Sequence, residues 1–132
     1  MYSGVTDTHA LIWYIWANPK MSPAAKAAIE SAVAAGTEIG VSTMTLIEIV
    51  YLAEKGRIDR RTHALVKALL TGGEVFGEVP ITGQIAEVLR TIPRHEVPDM
   101  PDRVIAATAV HLSVPLISRD GKIRASSVTT IW

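Results

Sequence analysis

Short apolar segments alternate with longer segments of helical period along the whole chain, and this alternation restricts the possible folds more than any other feature. Tyr2 to Thr6, Ile39 to Val41, Val75 to Val79, Pro115 to Ser118 and Val128 to Ile131 are apolar or β-favouring runs too short to be helices. Between them, Thr8 to Trp16 carries His9, Ile12, Trp13 and Trp16 at helical spacing and stops at Asn18-Pro19. Ser22-Pro23 opens an Ala-rich helix to about Ala35, with Gly36 placed as its C-cap. Thr43 to Lys55 is a helix closed by Gly56, and Arg60 to Leu70 another, opened by Asp59 and closed near Gly72-Gly73. Gly83 to Arg90 is a short helix. Pro93, Pro98 and Pro101 punctuate a loop before the apolar helix Asp102 to Leu112, and Gly121 to Ala125 is a turn or short helix. Strands alternating with helices predict an α/β fold with a mainly parallel central sheet, formed as a single domain over residues 1–132.

Bulk properties narrow the function only a little. The chain has no cysteine, which fits a reducing compartment and removes disulfide and thiolate-metal chemistry. The early apolar stretch Ala10 to Ala17 is too short to span a bilayer, and no secretory leader pattern precedes it, so a cytoplasmic protein without membrane association is expected. Thirteen basic and thirteen acidic residues cancel, so the basic excess of a non-specific duplex-DNA binder is missing. An acidic pocket ringed by basic residues also sums to zero.

The acids are the informative residues. Asp7 directly follows the first strand, and Asp120 follows the strand ending at Ser118. Open parallel sheets bind ligands beyond the carboxyl ends of their strands. Asp102 starts the helix that leads back to the Asp120 strand, so it begins at that same edge. Glu48 sits in the first half of the helix after Val41, and helical side chains tilt toward the N-terminus. Asp7, Glu48, Asp102 and Asp120 are therefore expected to converge. Two carboxylates ~4 Å apart repel by about 4 kcal/mol at an effective dielectric of ~20, so such a cluster calls for protons or cations. Oxygen donors without cysteine or clustered histidine favour Mg²⁺ or Mn²⁺ over zinc. Ions of that kind activate water and stabilise charge on a phosphodiester under attack.

Each acid also fits an ordinary role. Asp7 can cap the following helix, Thr45 and Glu48 have capping-box spacing, Asp99 can cap the helix carrying Asp102, and Asp120-Gly121 is a common turn pair. His9, His63, His95 and His111 share no ligand spacing. Trp13 and Trp16 are read as core or interface residues. Arg103, Arg119, Lys122 and Arg124 flank two of the acids and are candidates for receiving phosphates.

Three segments resemble a known family. "TDTHALIWYI", "STMTLIEIVYL" and above all "VPDMPDRVIAATAVHLSVPLISRDGKIR" resemble, in order, the acidic motifs of PIN-domain proteins, most closely the VapC-type toxins of bacterial toxin–antitoxin pairs. The resemblance implies a three-layer α/β/α sandwich and a metal-dependent ribonuclease in which Asp7, Glu48, Asp102 and Asp120 bind Mg²⁺ or Mn²⁺, with Asp99 in support. It also implies an RNA substrate, a cognate antitoxin and a homodimer. The competing expectation is a catalytically silent module of the same fold that only holds a protein partner. A receiver-type phosphoacceptor is disfavoured because Thr8-His9, not a second acid, follows Asp7, and no Gly-x-Ser-x-Gly elbow supports an acyl hydrolase.

Overall fold

The structure, a computed structural model, describes residues 1–132. Strand β1 (Tyr2–Thr6) lies at the centre of a five-stranded sheet, with β2 (Glu38–Ser42) and β3 (Phe76–Val79) on one side and β4 (Leu116–Ile117) and β5 (Thr130–Ile131) on the other. The strand order is β3-β2-β1-β4-β5, and every neighbouring pair is parallel. The chain thus builds outward from β1 through β2 to β3, then returns and lays β4 on β1's other edge. That reversal opens a crevice at the carboxyl ends of β1 and β4, where doubly wound sheets take their ligands.

Side-chain alternation distributes the apolar residues between two cores. On one face, Ile39, Val41, Phe76 and Ile117 pack against helices α1 (Thr8–Ile15), α2 (Pro23–Ala35), α3 (Thr43–Glu54) and α4 (Thr62–Gly72), through Leu11, Ile29, Ile49 and Val66. On the other face, Val5, Val79 and Leu116 meet α5 (Gly83–Leu89), α6 (Met100–Leu112) and α7 (Gly121–Arg124), through Ile85, Ile105, Ala109 and Ile123. The neighbours Leu116 and Ile117 serve opposite cores, as the period of two requires. The result is the α/β/α sandwich expected from the sequence. No helix is long and apolar enough to cross a membrane.

Local chemistry explains most element ends. Ser22 accepts a hydrogen bond from Ala25 N at 3.1 Å, Pro23 takes the first helical position, and Gly36 ends α2 with φ 70°. Three readings need correction. Helix α4 starts at Thr62, with no side-chain cap, because Asp59 holds Arg61 by Oδ2···Nη2 and Oδ1···Nε bonds of 2.7 and 3.0 Å instead. Trp16 lies just beyond α1. Helix α6 begins at Met100, so Asp102 occupies its first turn and Asp99 its N-cap.

Gly40 marks where the sheet has no spare volume. A Cβ there would stand 2.9 Å from Val79 Cγ2 and 3.2 Å from Val5 Cγ2, both on buried β-branched side chains with stiff χ1 angles. Gly40→Ala is expected to lower the unfolding free energy by about 1–3 kcal/mol through overpacking. Urea titration should show an earlier midpoint at an unchanged slope. Parental stability in the variant would mean that the sheet yields at no cost.

Candidate active site

Asp7 follows β1 directly, with its amide donating to Ile117 O at 3.0 Å, so the β1–β4 pairing fixes its backbone. Its Oδ1 accepts from Ala10 N at 2.9 Å and caps α1. The buried Ser118 hydroxyl lies beside the Asp7 carboxylate, favouring its charged form, and accepts from Asp120 N at 3.1 Å, which links the two strand ends. Asp120 Oδ1 in turn caps α7, accepting from Lys122 N and Ile123 N at 3.0 Å each. Asp99 Oδ1 caps α6 by accepting from Asp102 N at 3.0 Å. The ordinary capping roles of Asp7, Asp99 and Asp120 are therefore real. In each case the cap engages Oδ1, and Oδ2 accepts no backbone hydrogen bond. A carboxylate fixed by one oxygen still presents the other.

Glu48 is held differently. Its Oε1 accepts a 2.6 Å hydrogen bond from Thr8 Oγ1, which also lies 3.2 Å from Thr45 Oγ1. Helix α3 starts at Thr43 under a Ser42 cap, so the Thr45–Glu48 capping box does not form. Thr8 and Ser118, the two hydroxyls that hold acids in place, were not singled out from the sequence. Their signal was adjacency, since Thr8 follows Asp7 and Ser118 precedes the Arg119-Asp120 pair.

These acids meet. Asp7, Glu48, Asp99, Asp102 and Asp120 line one hollow of about 360 Å³ with His9, Trp13 and Arg119. None of the five is in a salt bridge, because the chain's ion pairs, Lys26–Glu30, Arg61–Asp59 and Arg90–Glu87, all lie elsewhere. The uncompensated charge is felt most at Asp102, whose carboxyl is pushed up to about 7 by burial and then by Asp99, Asp120, Glu48 and Asp7. Burial also raises Asp7, against hydrogen bonds from Ser118 and Ala10 N and the nearby His9, while Asp120 adds to the rise. Glu48 is raised by burial, against Thr8 and His9, with Asp99 and Asp7 adding. As the side chains stand, no three of them are arranged to hold a metal ion. The donor set is all oxygen, partly desolvated and short of counter-charge, which suits a hard divalent cation.

Residues 5–127 match the PIN domain family. The chain belongs to that family. Over its full length this PIN domain is 29% identical to the ribonuclease VapC22 of Mycobacterium tuberculosis across 135 residues, covering 100% of both chains. Its fold is shared with VapBC2 of Rickettsia felis bound to a promoter DNA fragment (TM-score 0.70, 14% identity, 96% of this chain and 95% of that one). A toxin–antitoxin complex from Klebsiella pneumoniae (0.57, 24%, 92% and 90%) and FitAcB of Neisseria gonorrhoeae (0.59, 18%, 96% and 95%) share it too.

The basic residues of the PIN domain separate sharply. Arg119 is exposed, lines the acid hollow and stands with its Cζ 5.7 Å from the Trp13 ring centroid. Lys122 is exposed beside Asp99, Asp102 and Asp120 in an adjoining depression, and Arg124 lines neither. Arg103 points away from the hollow altogether. Its Nε donates to Ile92 O at 3.0 Å and its Nη2 to Leu89 O at 2.9 Å, so it clamps the turn that follows α5, where Leu89 O also accepts from Ile92 N at 3.2 Å. The phosphate role expected for Arg103 gives way to this structural one. Arg103→Ala should cost about 1–3 kcal/mol of stability in urea denaturation, since charge-assisted hydrogen bonds to the chain are lost. Of the other sequence candidates, His9 is exposed and lines the hollow. Trp16 is 38% exposed with its Nε1 donating to Thr62 Oγ1 at 3.1 Å, and Trp13 belongs to neither apolar core.

Proposed function

We propose that this chain, as a single nuclease domain, is a cytoplasmic Mg²⁺- or Mn²⁺-dependent endoribonuclease and the toxin of a toxin–antitoxin pair. The observation that carries the reading is the convergence of Asp7, Glu48, Asp99, Asp102 and Asp120 on one hollow with no salt-bridge partner for any of them, a crowding that pushes the Asp102 carboxyl up. A protein retains so costly a constellation where function needs it. The similarity to a ribonuclease and to a chain solved in a toxin–antitoxin complex supports the same reading.

Asp7, Glu48, Asp102 and Asp120 would hold the ions, with Asp99 in support. A divalent cation held by these carboxylates would supply polarisation of water and charge compensation at the phosphodiester. The protein's own part is orientation and proton acceptance. Ser118 and the Ala10 amide fix Asp7, and Thr8 fixes Glu48 against its own rotamer freedom. Once deprotonated, the hollow's carboxylates provide oxygens able to accept the proton that the attacking water gives up. Arg119 and Lys122, both free of salt bridges, are placed to meet substrate phosphates.

For the antitoxin, the larger groove beside the hollow is the natural seat. It has a volume of about 1080 Å³, shares His9, Trp13, Glu48 and Asp99 with the hollow, and continues over Ile47 and Tyr51 of α3. Those two side chains are 43% and 58% exposed, an apolar surface that also suits a second copy of the chain in a homodimer.

The deciding experiment uses protein freed of any partner, incubated with structured tRNA and rRNA in Mg²⁺ or in EDTA. Cleavage in Mg²⁺ that EDTA removes is the expected result. Cleavage unaffected by EDTA would overturn the metal assignment. No cleavage in Mg²⁺ or Mn²⁺, with partner binding intact, would leave a silent binding module.

A further inference from the structure

The acid hollow has an aromatic and cationic rim that the acids do not explain. Trp13 is half-buried yet packs in neither apolar core. Its indole N–H makes no hydrogen bond, in contrast to that of Trp16. Two cations lie over the ring, Arg119 Cζ and Lys20 Nζ, each 5.7 Å from the centroid, and neither is in a salt bridge. His9 and Trp132 flank it with ring centroids 5.9 and 5.6 Å away. Trp13 lines both the acid hollow and the larger groove, so it stands at the junction between them.

A purely structural indole would be expected to fill a core or to satisfy its N–H, and Trp13 does neither. An acid hollow also repels the polyanion it is to cut, so binding needs cations beside it. Arg119 is the one arginine or lysine lining the hollow, and it is parked on Trp13. An exposed cation–π contact is weaker than the stacking of a nucleobase on an aromatic ring. An arriving base can therefore displace a cation from the indole, and the released side chain becomes available to the flanking phosphate. Only an unpaired base has a face free to stack in this way.

We infer that Trp13, Arg119 and Lys20 form a subsite for single-stranded RNA beside the acid hollow, with one base stacked on the Trp13 indole and the adjoining phosphates on the two cations. The inference rests on the ribonuclease reading above and adds the residues that would hold a base and its flanking phosphates. Trp13 is in this sense a positioning residue, which sets where the chain of nucleotides crosses the carboxylates.

Binding is measured in EDTA, which separates it from cleavage, with a fluorescently labelled single-stranded RNA of about ten nucleotides, a length that covers one small-domain site. Trp13→Ala should weaken binding about tenfold, Trp13→Phe should restore most of the loss, and Trp16→Phe should change nothing. A duplex of the same sequence should bind the parent and Trp13→Ala alike. Lys20→Ala and Arg119→Ala should each flatten the salt dependence by the slope of about one released counterion. Should Trp13→Ala fold poorly, Trp16→Phe/Trp132→Phe leaves Trp13 as the sole indole, and saturating RNA should quench its emission.

Unchanged RNA affinity in folded Trp13→Ala, or no quenching of the sole indole, overturns the subsite. So does a Trp13→Ala effect confined to binding of an arginine-containing peptide, which would assign the cluster to a protein interface. Mg²⁺-dependent cleavage by the parent together with either result sinks this inference alone. A parent chain that neither binds nor cuts RNA sinks the ribonuclease reading with it.

Discussion

Asp102→Asn should melt higher than the parent chain in EDTA at pH 8 and cut RNA about a thousandfold more slowly, or worse, in Mg²⁺. Both effects have one source. In the folded protein the Asp102 carboxyl is pushed up to about 7 by burial and four neighbouring acids, whereas the unfolded chain returns it to about 3.8. Between those values the native state holds a proton that the unfolded state has released. Stability therefore falls as pH rises through this window, and the loss is complete above about 7. Asparagine has the same shape and no charge to lose. Because the Asp102 side chain is partly open to water, the gain is put at about 1–2 kcal/mol, or roughly 3–8 °C for a chain of this size. The difference should narrow as the pH is lowered toward 4–5. The activity loss is estimated from the several kcal/mol of charge stabilisation that a divalent ion supplies to such a transition state. A variant that melts lower than the parent at pH 8 would show that the acids do not strain the metal-free fold. One that keeps full Mg²⁺-dependent cleavage would remove Asp102 from the chemistry.

Divalent ions should stabilise the parent chain, and more strongly at pH 8 than at pH 6. Ligation requires the charged carboxylate, so an ion entering the hollow must first displace the proton on Asp102. With that carboxyl near 7, it is mostly protonated at pH 6 and mostly ionised at pH 8, which makes the apparent Mg²⁺ affinity about tenfold weaker at the lower pH. An ion at a hundredfold excess over its dissociation constant contributes about 2.7 kcal/mol to stability. Thermal unfolding across a Mg²⁺ series at the two pH values measures both quantities, and EDTA should reverse the shift. The same series with Asp102→Asn should lose most of the stabilisation and all of the pH dependence. Equal Mg²⁺ responses at pH 6 and pH 8 would mean that the proton on Asp102 is not what the ion displaces.

Much of this molecule can be read along the chain, because the deciding interactions are local or periodic. The spacing of apolar residues yields five strands and the helices between them, and Ser22-Pro23, Gly36 and the Asp-Gly pair at 120–121 mark element ends through bonds reaching two or three residues. Asp7 and Asp120 are legible as strand-end acids, since a short apolar or β-favouring run stops just before each. The start of α4 falls at Thr62 because Asp59 binds Arg61 instead of a helical amide, and α6 starts two residues before Asp102 because Asp99 caps it, with Pro101 accommodated in its first turn.

What the sequence could not decide is the partner of each polar group across the fold. Arg103 and Arg119 look equivalent, each beside a motif acid, yet Arg103 spans to the end of α5 while Arg119 stays over Trp13 at the hollow. Thr8 meets Glu48 across 40 residues of chain, and burial together with four other acids turns Asp102 from an ordinary carboxylate into one that holds its proton near neutrality. Hydrogen bonds reach about 3 Å and charge coupling in a protein a few times that, distances with no counterpart in residue number until the sheet brings the strand ends together.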